Sequence, residues 1–536
     1  MNQPHYFLPQ WIEKTDRVID VDLCVYGGTS AGVIAATAAT KRGLSAVVIN
    51  PGNHLGGMSS GGLGWTDFGR KQAIGGMSRA FYRALGQHYG HDEEWNFEPH
   101  VAEAEFERLV RDAGVAVHHR QFIDSVTMDG RRLVEATMLG GLRVRARMFI
   151  DATYEGDLLA KAGVTYTVGR EANAQYGESL NGIQVDTKHQ FGARVDPYVT
   201  PGDPGSGLLP WVDSEDRTKL MGQGDRRVQA YNFRMCMTDD PALKIEWEKP
   251  DGYDRRDYEL ATRWFRGEKD KYNEQVWDKP HPRVGVPVPV KFDVFYNKTP
   301  GGHWKTDTNN HGPVSSDFIG ANHEWPEACY ERREEIFQAH VRWQKGLYWH
   351  LANCNDIPDR YRRAYAHWGL PRDEFKDTGH WPHQIYVREA RRMVSDAVVT
   401  ELDCKAVRKA DDPVGLGSYN MDSHNCSRFV TVRDGQAWVL NEGDVQVPPT
   451  DPYGISYRCV VPRRGECENL LVPVAFSASH IAYGSARMEP VFMVLGESTA
   501  IAATLAIRGG TSVQAVPYPA LQQELLDAGQ VLQWTA

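Results

Sequence analysis

A βαβ unit near the start of the chain constrains the fold more than any other feature. Val18 to Tyr26 is rich in β-branched and apolar residues and is predicted as a strand. It leads into Gly27-Gly28-Thr29-Ser30-Ala31-Gly32 and an Ala-rich predicted helix, Ala31 to Lys41, which Gly43 ends; a second apolar run follows, Leu44 to Asn50. Strand, glycine turn, helix and strand within about 30 residues make the first crossover of a parallel sheet. In a dinucleotide fingerprint one glycine makes the tight turn, a second leaves room for pyrophosphate, and a third lets helix meet strand. Gly27 and Gly32 fill the first and third places, but Thr29 stands where the second belongs, with Gly28 beside it. A phosphate would still meet N–H groups and a favourable dipole at the helix N-terminus. The acidic residue expected about 20 positions on, for the ribose hydroxyls, is replaced by Asn50, whose amide also hydrogen-bonds. The other reading of these residues is a glycine turn that merely lets the helix lie on the sheet.

Residues 51–78 are glycine-dense, PGNHLGGMSSGGLGWTD followed by Gly75 and Gly76. Such a loop lets backbone approach a ligand closely, which makes Pro51, His54, Gly56, Gly57 and Met58 candidate contacts. A polar helix is predicted over Ala102 to Asp112, closed by Gly114, then a strand over Val115 to His119. Met148, Phe149 and Ile150 end a further strand that enters DATYEGDLLAKAG. From about Thr165 to Thr450 Trp, Tyr, Pro, Asn and His increase, and one helical stretch is predicted, Tyr386 to Leu402. Regular patterning returns at Leu470 and ends in an Ala-rich helix, Val491 to Ile507, stopped by Gly509 and Gly510. The chain of 536 residues is too long for one core. Three parts are expected: 18–165, an insert over 166–455, and a return over 456–536.

Lys plus Arg number 60 against 70 Asp plus Glu, a formal charge of −10, which is a poor match for a phosphate backbone; no nucleic-acid partner is expected. The first residues, MNQPHYFLPQWIEKTDR, lack a basic stretch, an apolar run and a small-residue cleavage site. Apolar segments read as shorter than the roughly 20 residues of a membrane span, so no membrane partner is expected. Eight dispersed cysteines without CxxC or Cys/His ligand spacing suit reduced thiols and a cytoplasmic protein, with a Cys459–Cys467 bridge the minor alternative. No metal site is expected.

The ordered combination of PGNHLGGMSSGGLG, IDATYEGDLLAKAGV, TVGREANAQYGESLNG, SSDFIGAN, WPHQIYVREARRM, SYNMDSHN and LLVPVAFSASHIAYGSARMEPVFMVLGESTA resembles the bacterial FAD-dependent oxidoreductases of the glutathione-reductase-like, two-dinucleotide-binding-domain flavoprotein superfamily, distantly similar to fumarate reductase flavoproteins. The resemblance covers the first 190 residues and most of the last 230, and is sparser between. It implies an α/β fold: a Rossmann-like FAD domain assembled from both chain ends, with an inserted α+β substrate domain. It implies FAD, bound non-covalently. Asp151-Ala152-Thr153 would end a strand near the phosphates and ribose, with Ala152 and Thr153 as contacts. Gln121 to Ile123, centred on Phe122, would offer backbone groups to the adenine. Arg487-Met488-Glu489-Pro490 would set a helix N-terminus at the flavin pyrimidine, where reduced flavin carries negative charge. His54 has two readings, a covalent flavin link or a loop histidine bonded to backbone or phosphate.

Hydride transfer to flavin leaves a substrate proton to be taken up, and histidine suits that near neutral pH. His480, between the last sheet strand and the C-terminal helix, is the first candidate; the comparable segment of fumarate-reductase-like proteins carries a substrate-contacting histidine. A histidine that fixes the Ser477–Ser479 loop is the alternative. Arg388 and His383 follow, since arginine binds carboxylates bidentately and steadies oxyanions. On a helix Arg388, Arg391 and Arg392 would share one face, for a site or for surface salt bridges. Asn420, Asp422, His424 and Asn425 read as a substrate cluster or as ordinary turns. The expected reaction is hydride transfer between flavin N5 and a polar small molecule, oxidising a CH–OH group (sugar-like or hydroxy acid) or a CH–NH group. A flavin-dependent reductase of an activated double bond and a non-catalytic FAD-binding protein are the rivals. The small-molecule substrate, the electron acceptor and the oligomeric state are not identified by the sequence.

Overall fold

The computed structural model describes residues 3–268, 276, 279–298 and 302–535. Its central sheet has seven strands: β1 (Val18–Tyr26), β2 (Ala46–Ile49), β3 (Ala116–His118), β4 (Ile123–Asp129), β5 (Arg132–Met138), β6 (Arg143–Asp151) and the short strand Leu470–Leu471. The order is β3-β2-β1-β6-β5-β4. β3, β2, β1 and β6 run parallel, while β4, β5 and β6 form an antiparallel meander. β6 changes partner along its length. Its first half pairs with β5 (Thr137 opposite Arg143) and its last residues take Leu470–Leu471 in parallel (Phe149 opposite Leu470). The buried end of β1, Leu23 to Tyr26, follows the rule that parallel strands covered on both faces read as continuous apolar runs.

Helix α1 (Ser30–Lys41) covers one face and meets the helix Glu489–Gly509 closely enough that a Cβ at Gly496 would lie 2.4 Å from Ala31 O. Small residues on both helices permit that approach. Segments before residue 50 and after 470 therefore share one sheet and one helical layer. Helices α2 (Gly76–Tyr89) and α3 (Pro99–Asp112) lie nearby, and Phe81 of one stacks on Phe106 of the other at 4.4 Å. Between residues 166 and 456 the structure is mixed. It holds small antiparallel sheets, among them Ser427–Arg433 with Gln436–Glu442, and a 24-residue helix, Tyr330–Asn353.

Three expectations need correction. Tyr386–Leu402 is not a helix: Ile385–Ala390 has no regular structure, Arg391–Met393 is a strand on Tyr166–Val168, and only Glu401–Cys404 is helical. Arg388, Arg391 and Arg392 do not share a surface face. All three are buried, on Asp317 (2.9 Å), Asp157 (2.7 Å) and Glu171 (2.9 Å), carboxylates from three distant segments. Second, Glu489–Gly509 is long and apolar enough to cross a membrane, with mean hydropathy 1.6, but 94% of that window is buried inside the protein. Third, the minor alternative of a bridge is excluded, since Cys459 and Cys467 are both free thiols.

Candidate functional site

The turn after β1 builds the first part of the site. Gly27 has φ +110°, and an added Cβ would sit 2.8 Å from Ala152 C, so a side chain is excluded by conformation and by space. At Gly32 a Cβ would fall 2.0 Å from Gly27 O. Thr29, in the second glycine's place, donates from Oγ1 to Ala152 O (2.7 Å) and accepts Gly32 N–H (3.3 Å) as the N-cap of α1. Its hydroxyl thus ties the turn to the end of β6. The N–H groups of Ser30 and Ala31, in the first turn, have no intrahelical acceptor, the usual condition for anion binding. Asn50 ends β2 and works on the protein itself: Oδ1 accepts Gly28 N–H (3.0 Å) and Nδ2 donates to His54 O (2.9 Å). Gly56 N–H donates to Gly28 O (2.8 Å), which holds the glycine loop against the turn.

These residues open onto a cleft of about 620 Å³ at the C-terminal ends of β1 and β2. Gly27, Gly28, Thr29, Asn50, Pro51, His54, Gly57, Thr153 and His383, all expected from the sequence, line it. Ser30, Ala31, Gly32, Gly56, Met58 and Ala152 lie just behind, in the turn and loop; Met58 N–H donates to Tyr154 Oη (2.9 Å). Phe122 is elsewhere, buried in an aromatic cluster with Phe7 (4.9 Å) and Tyr330 (4.9 Å). Gln121 N–H and Ile123 N–H already donate to Asn50 O (3.0 Å) and Tyr26 Oη (3.0 Å), and Phe122 O accepts Leu139 N–H (2.8 Å).

Within the cleft His54 stacks flat on His383, centroids 3.8 Å apart and planes at 7°. Burial opposes a charge on His54, but Asp377 (3.2 Å from Nε2) and Glu103 (2.7 Å from Nδ1) outweigh it and lift its pKa to about 9. Burial, and then the neighbouring charge, push His383 well below the usual histidine range, and neither of its ring nitrogens has a partner among the described residues. His54, Glu103 and His383 bring ligand atoms together, yet parallel rings aim their lone pairs along parallel lines. A metal about 2.0–2.1 Å from both nitrogens needs them to converge.

A second, small cavity of about 10 Å³ adjoins the first, with Tyr154 in the wall of both. Asp67, Tyr386, Arg388, Arg487, Met488 and Glu489 surround it. The segment from His383 to Arg388 therefore serves both spaces. Arg388 and Arg487 lie over the Tyr386 ring at 4.6 and 5.5 Å. Arg388 donates to Ala230 O and to Asn232 Oδ1 (3.2 Å), and Arg487 to Gln229 Oε1 (3.2 Å) and Asp422 O (3.1 Å). That leaves Nε of Arg388 and Nε and Nη1 of Arg487 buried without a partner among the described residues. Glu489, first residue of the helix Glu489–Gly509, accepts from Ser30 Oγ (2.5 Å) and Tyr154 Oη (2.6 Å). Burial raises its pKa to about 7 against the lowering by Ser30, Tyr154 and Ser59. Pro490 follows it, its carbonyl accepting from Ser78 Oγ (2.9 Å).

His480 lines neither cavity. It is 2% exposed, with Nδ1 on Glu389 (2.8 Å) and Nε2 on Ser423 Oγ (3.0 Å). Glu389 accepts Gln229 N–H (3.1 Å), and Gln229 Oε1 accepts from Arg487, so a chain of bonds joins His480 to the arginine wall. His424 Nδ1 bonds Asp317 (2.7 Å), the partner of Arg388, and its Nε2 lies 3.5 Å from Asp422. Tyr154, Tyr386, Asp67 and Gln229 were not anticipated. Tyr386 and Tyr154 lie inside quoted motifs, which was the available signal; nothing local marks Gln229.

The donor set fits FAD: a helix N-terminus above a glycine turn that opens onto the large cleft, and unpartnered buried N–H groups beyond it. The family model described as FAD dependent oxidoreductase matches residues 22–525. A search of curated proteins finds no match. Solved structures matched over part of the chain include L-proline dehydrogenase from P. horikoshii (13% identity, 29% of this chain, 59% of that one, TM-score 0.24). L-amino acid deaminase from Proteus vulgaris (13%, 30%, 55%, 0.23) and a flavin monooxygenase from Stenotrophomonas maltophilia (18%, 31%, 45%, 0.19) are others. The matched share of such structures runs from 27% to 59% of their length, and likenesses of this size carry no argument about substrate. The family match, by contrast, spans nearly the whole chain: this protein belongs to the FAD dependent oxidoreductase family, whose cofactor is FAD.

Proposed function

We propose that the protein exchanges hydride equivalents between FAD and a polar small molecule, oxidising a CH–OH group of a sugar-like compound or hydroxy acid, or a CH–NH group. One observation carries this reading: the desolvated guanidinium N–H groups of Arg388 and Arg487 in the wall of the small second cavity. A buried donor left unmet costs about 1–3 kcal/mol, more when charged, so such donors point to an oxygen-rich ligand. Bound FAD supplies a hydride acceptor or donor at its N5 atom.

The turn Gly27–Gly32, the Asn50–Met58 loop and Thr153 would hold the cofactor, with Met488 and Glu489 at the second cavity and Pro490 next to them. His54, charged at neutral pH, lines the cleft with Glu103 and Asp377 on its two ring nitrogens, so the phosphate falls to the backbone N–H groups of the turn. Arg388 and Arg487 orient substrate oxygen, and Tyr386 shields that contact from water. His383 is the proton acceptor of the cleft: burial keeps its ring neutral, and both ring nitrogens are buried without a partner among the described residues. His480 is a positioning residue that acts through Glu389 and Gln229 on Arg487.

The test is anaerobic mixing of the yellow protein with hydroxy acids, sugars and amines while absorbance near the flavin maximum is followed. Bleaching by one of them supports the reading. A protein that dithionite bleaches but no metabolite does, and that an ene-carboxylate then reoxidises, runs in the reductase direction instead.

A further inference from the structure

We infer that the segment Pro4–Trp11 belongs to the cofactor site and forms the wall that holds the adenosine half of FAD. The inference rests on the assignment of FAD to the large cleft and adds residues that no motif marks. The segment has one short 3-10 turn, Pro9–Trp11, so it is positioned by its contacts. On its outer side it is fastened to the helix Tyr330–Asn353. Glu334 accepts Tyr6 N–H (2.7 Å), Phe7 N–H (3.0 Å) and His5 Nδ1 (2.6 Å); Gln338 Nε2 donates to Pro4 O (2.7 Å), and Arg333 Nη1 to Tyr6 Oη (3.1 Å). Phe7 is buried, edge-on to Phe122 at 4.9 Å. Five bonds to one helix are far more than a loose strand needs.

On its inner side the same segment turns His5, Tyr6, Leu8 and Trp11 into the cleft. Trp11 marks which end they close. Its ring lies 5.1 Å from the Arg120 guanidinium, and Arg120 donates from Nε to Asn53 Oδ1 (2.7 Å) and from its N–H to Gly52 O (3.2 Å). Arg120 holds the left-handed backbone, φ +57°, to reach this position. A bulky residue at positive φ is uncommon and persists where its surroundings fix it. Asn53 and Gly52 follow Asn50 at the end of β2, where a dinucleotide fold meets the ribose. The far end, at Met488 and Glu489, lies at the second cavity. A flat indole with an aliphatic neighbour, Leu8, suits a purine face: every base presents a π surface, and stacking on an aromatic side chain needs no particular hydrogen-bond pattern.

The experiment uses full-length protein freed of flavin, with ADP, FMN and FAD titrated by calorimetry into wild type, Trp11→Ala, Trp11→Phe and Glu334→Gln. Trp11→Ala is expected to weaken ADP and FAD by about 10- to 100-fold, with FMN unchanged and Trp11→Phe close to wild type. Glu334→Gln, which loosens the fastening and leaves the cleft side chains intact, is expected to weaken ADP in the same sense. Wild-type ADP affinity in a folded Trp11→Ala protein overturns the inference, as does equal weakening of ADP and FMN. Failure of wild type to bind FAD or ADP overturns instead the assignment of FAD to the cleft.

Discussion

Replacing Gly32 probes the nucleotide turn where the structure leaves least room. A Cβ there would lie 2.0 Å from Gly27 O, 3.1 Å from Gly27 C and 3.2 Å from the Ala152 methyl. Contacts under 3.0 Å are essentially never seen, so the first turn of α1 must retreat by at least the 1.0 Å difference between 3.0 and 2.0. Two effects compete in Gly32→Ala. Helix propensity favours alanine by up to about 1 kcal/mol, and overpacking costs about 1–3 kcal/mol. The second wins because the obstacle is backbone carbonyl, leaving a net loss of up to about 2 kcal/mol. Gly32→Val adds two carbons to the same collision and loses more. The same retreat carries the N–H groups of Ser30 and Ala31 away from the phosphates. The assay is fluorescence titration of flavin-free protein with FAD, beside thermal unfolding of both variants. We expect Gly32→Ala to bind at least tenfold more weakly and Gly32→Val not to retain FAD. A folded Gly32→Val protein with stoichiometric FAD would refute the placement of the turn.

Further expectations follow from the site. Glu489 has a folded pKa of about 7 against 4.5 when unfolded, so the native state holds more protons between those values and stability falls as pH rises through that window. Glu489→Gln removes the penalty. Its unfolding midpoint should exceed that of wild type at pH 8, by no more than about 3 kcal/mol in free energy, and the gain should vanish below about pH 4.5; a constant offset at all pH values would contradict this. His480→Ala should keep FAD and fold while slowing flavin reduction by roughly 10- to 100-fold through a displaced Arg487. If it acts only by position, KM and kcat both change and the pH profile keeps its shape, whereas loss of a limb would make it a proton carrier.

The parts of the fold set by local pattern were legible. Helix α1 and the helix Glu489–Gly509 were expected within a few residues of their observed ends, because alanine-rich runs stopped by glycine are local signals. Asn50 was placed at the end of β2, although its amide serves Gly28 and His54 in this structure. The misread stretch is instructive. Arginines at 388, 391 and 392 have helical spacing, but their conformation is decided by Asp317, Asp157 and Glu171, which sequence spacing cannot pair with them. The apolar length of Glu489–Gly509 was undercounted because Gly496, Glu497, Ser498 and Thr499 interrupt it; all lie inside the protein. The cleft wall from Pro4 to Trp11 carries no motif. Its place is set by Glu334, more than 300 residues away in sequence.

The most direct test of the central claim is the identity and stoichiometry of the flavin released when the purified, yellow protein is denatured. Chromatography of the supernatant should recover one equivalent of FAD and no FMN, as expected of a dinucleotide turn that opens onto the large cleft. FAD that stays on the precipitated polypeptide would point to a covalent bond at His54. A colourless protein that takes up no added FAD would contradict the account.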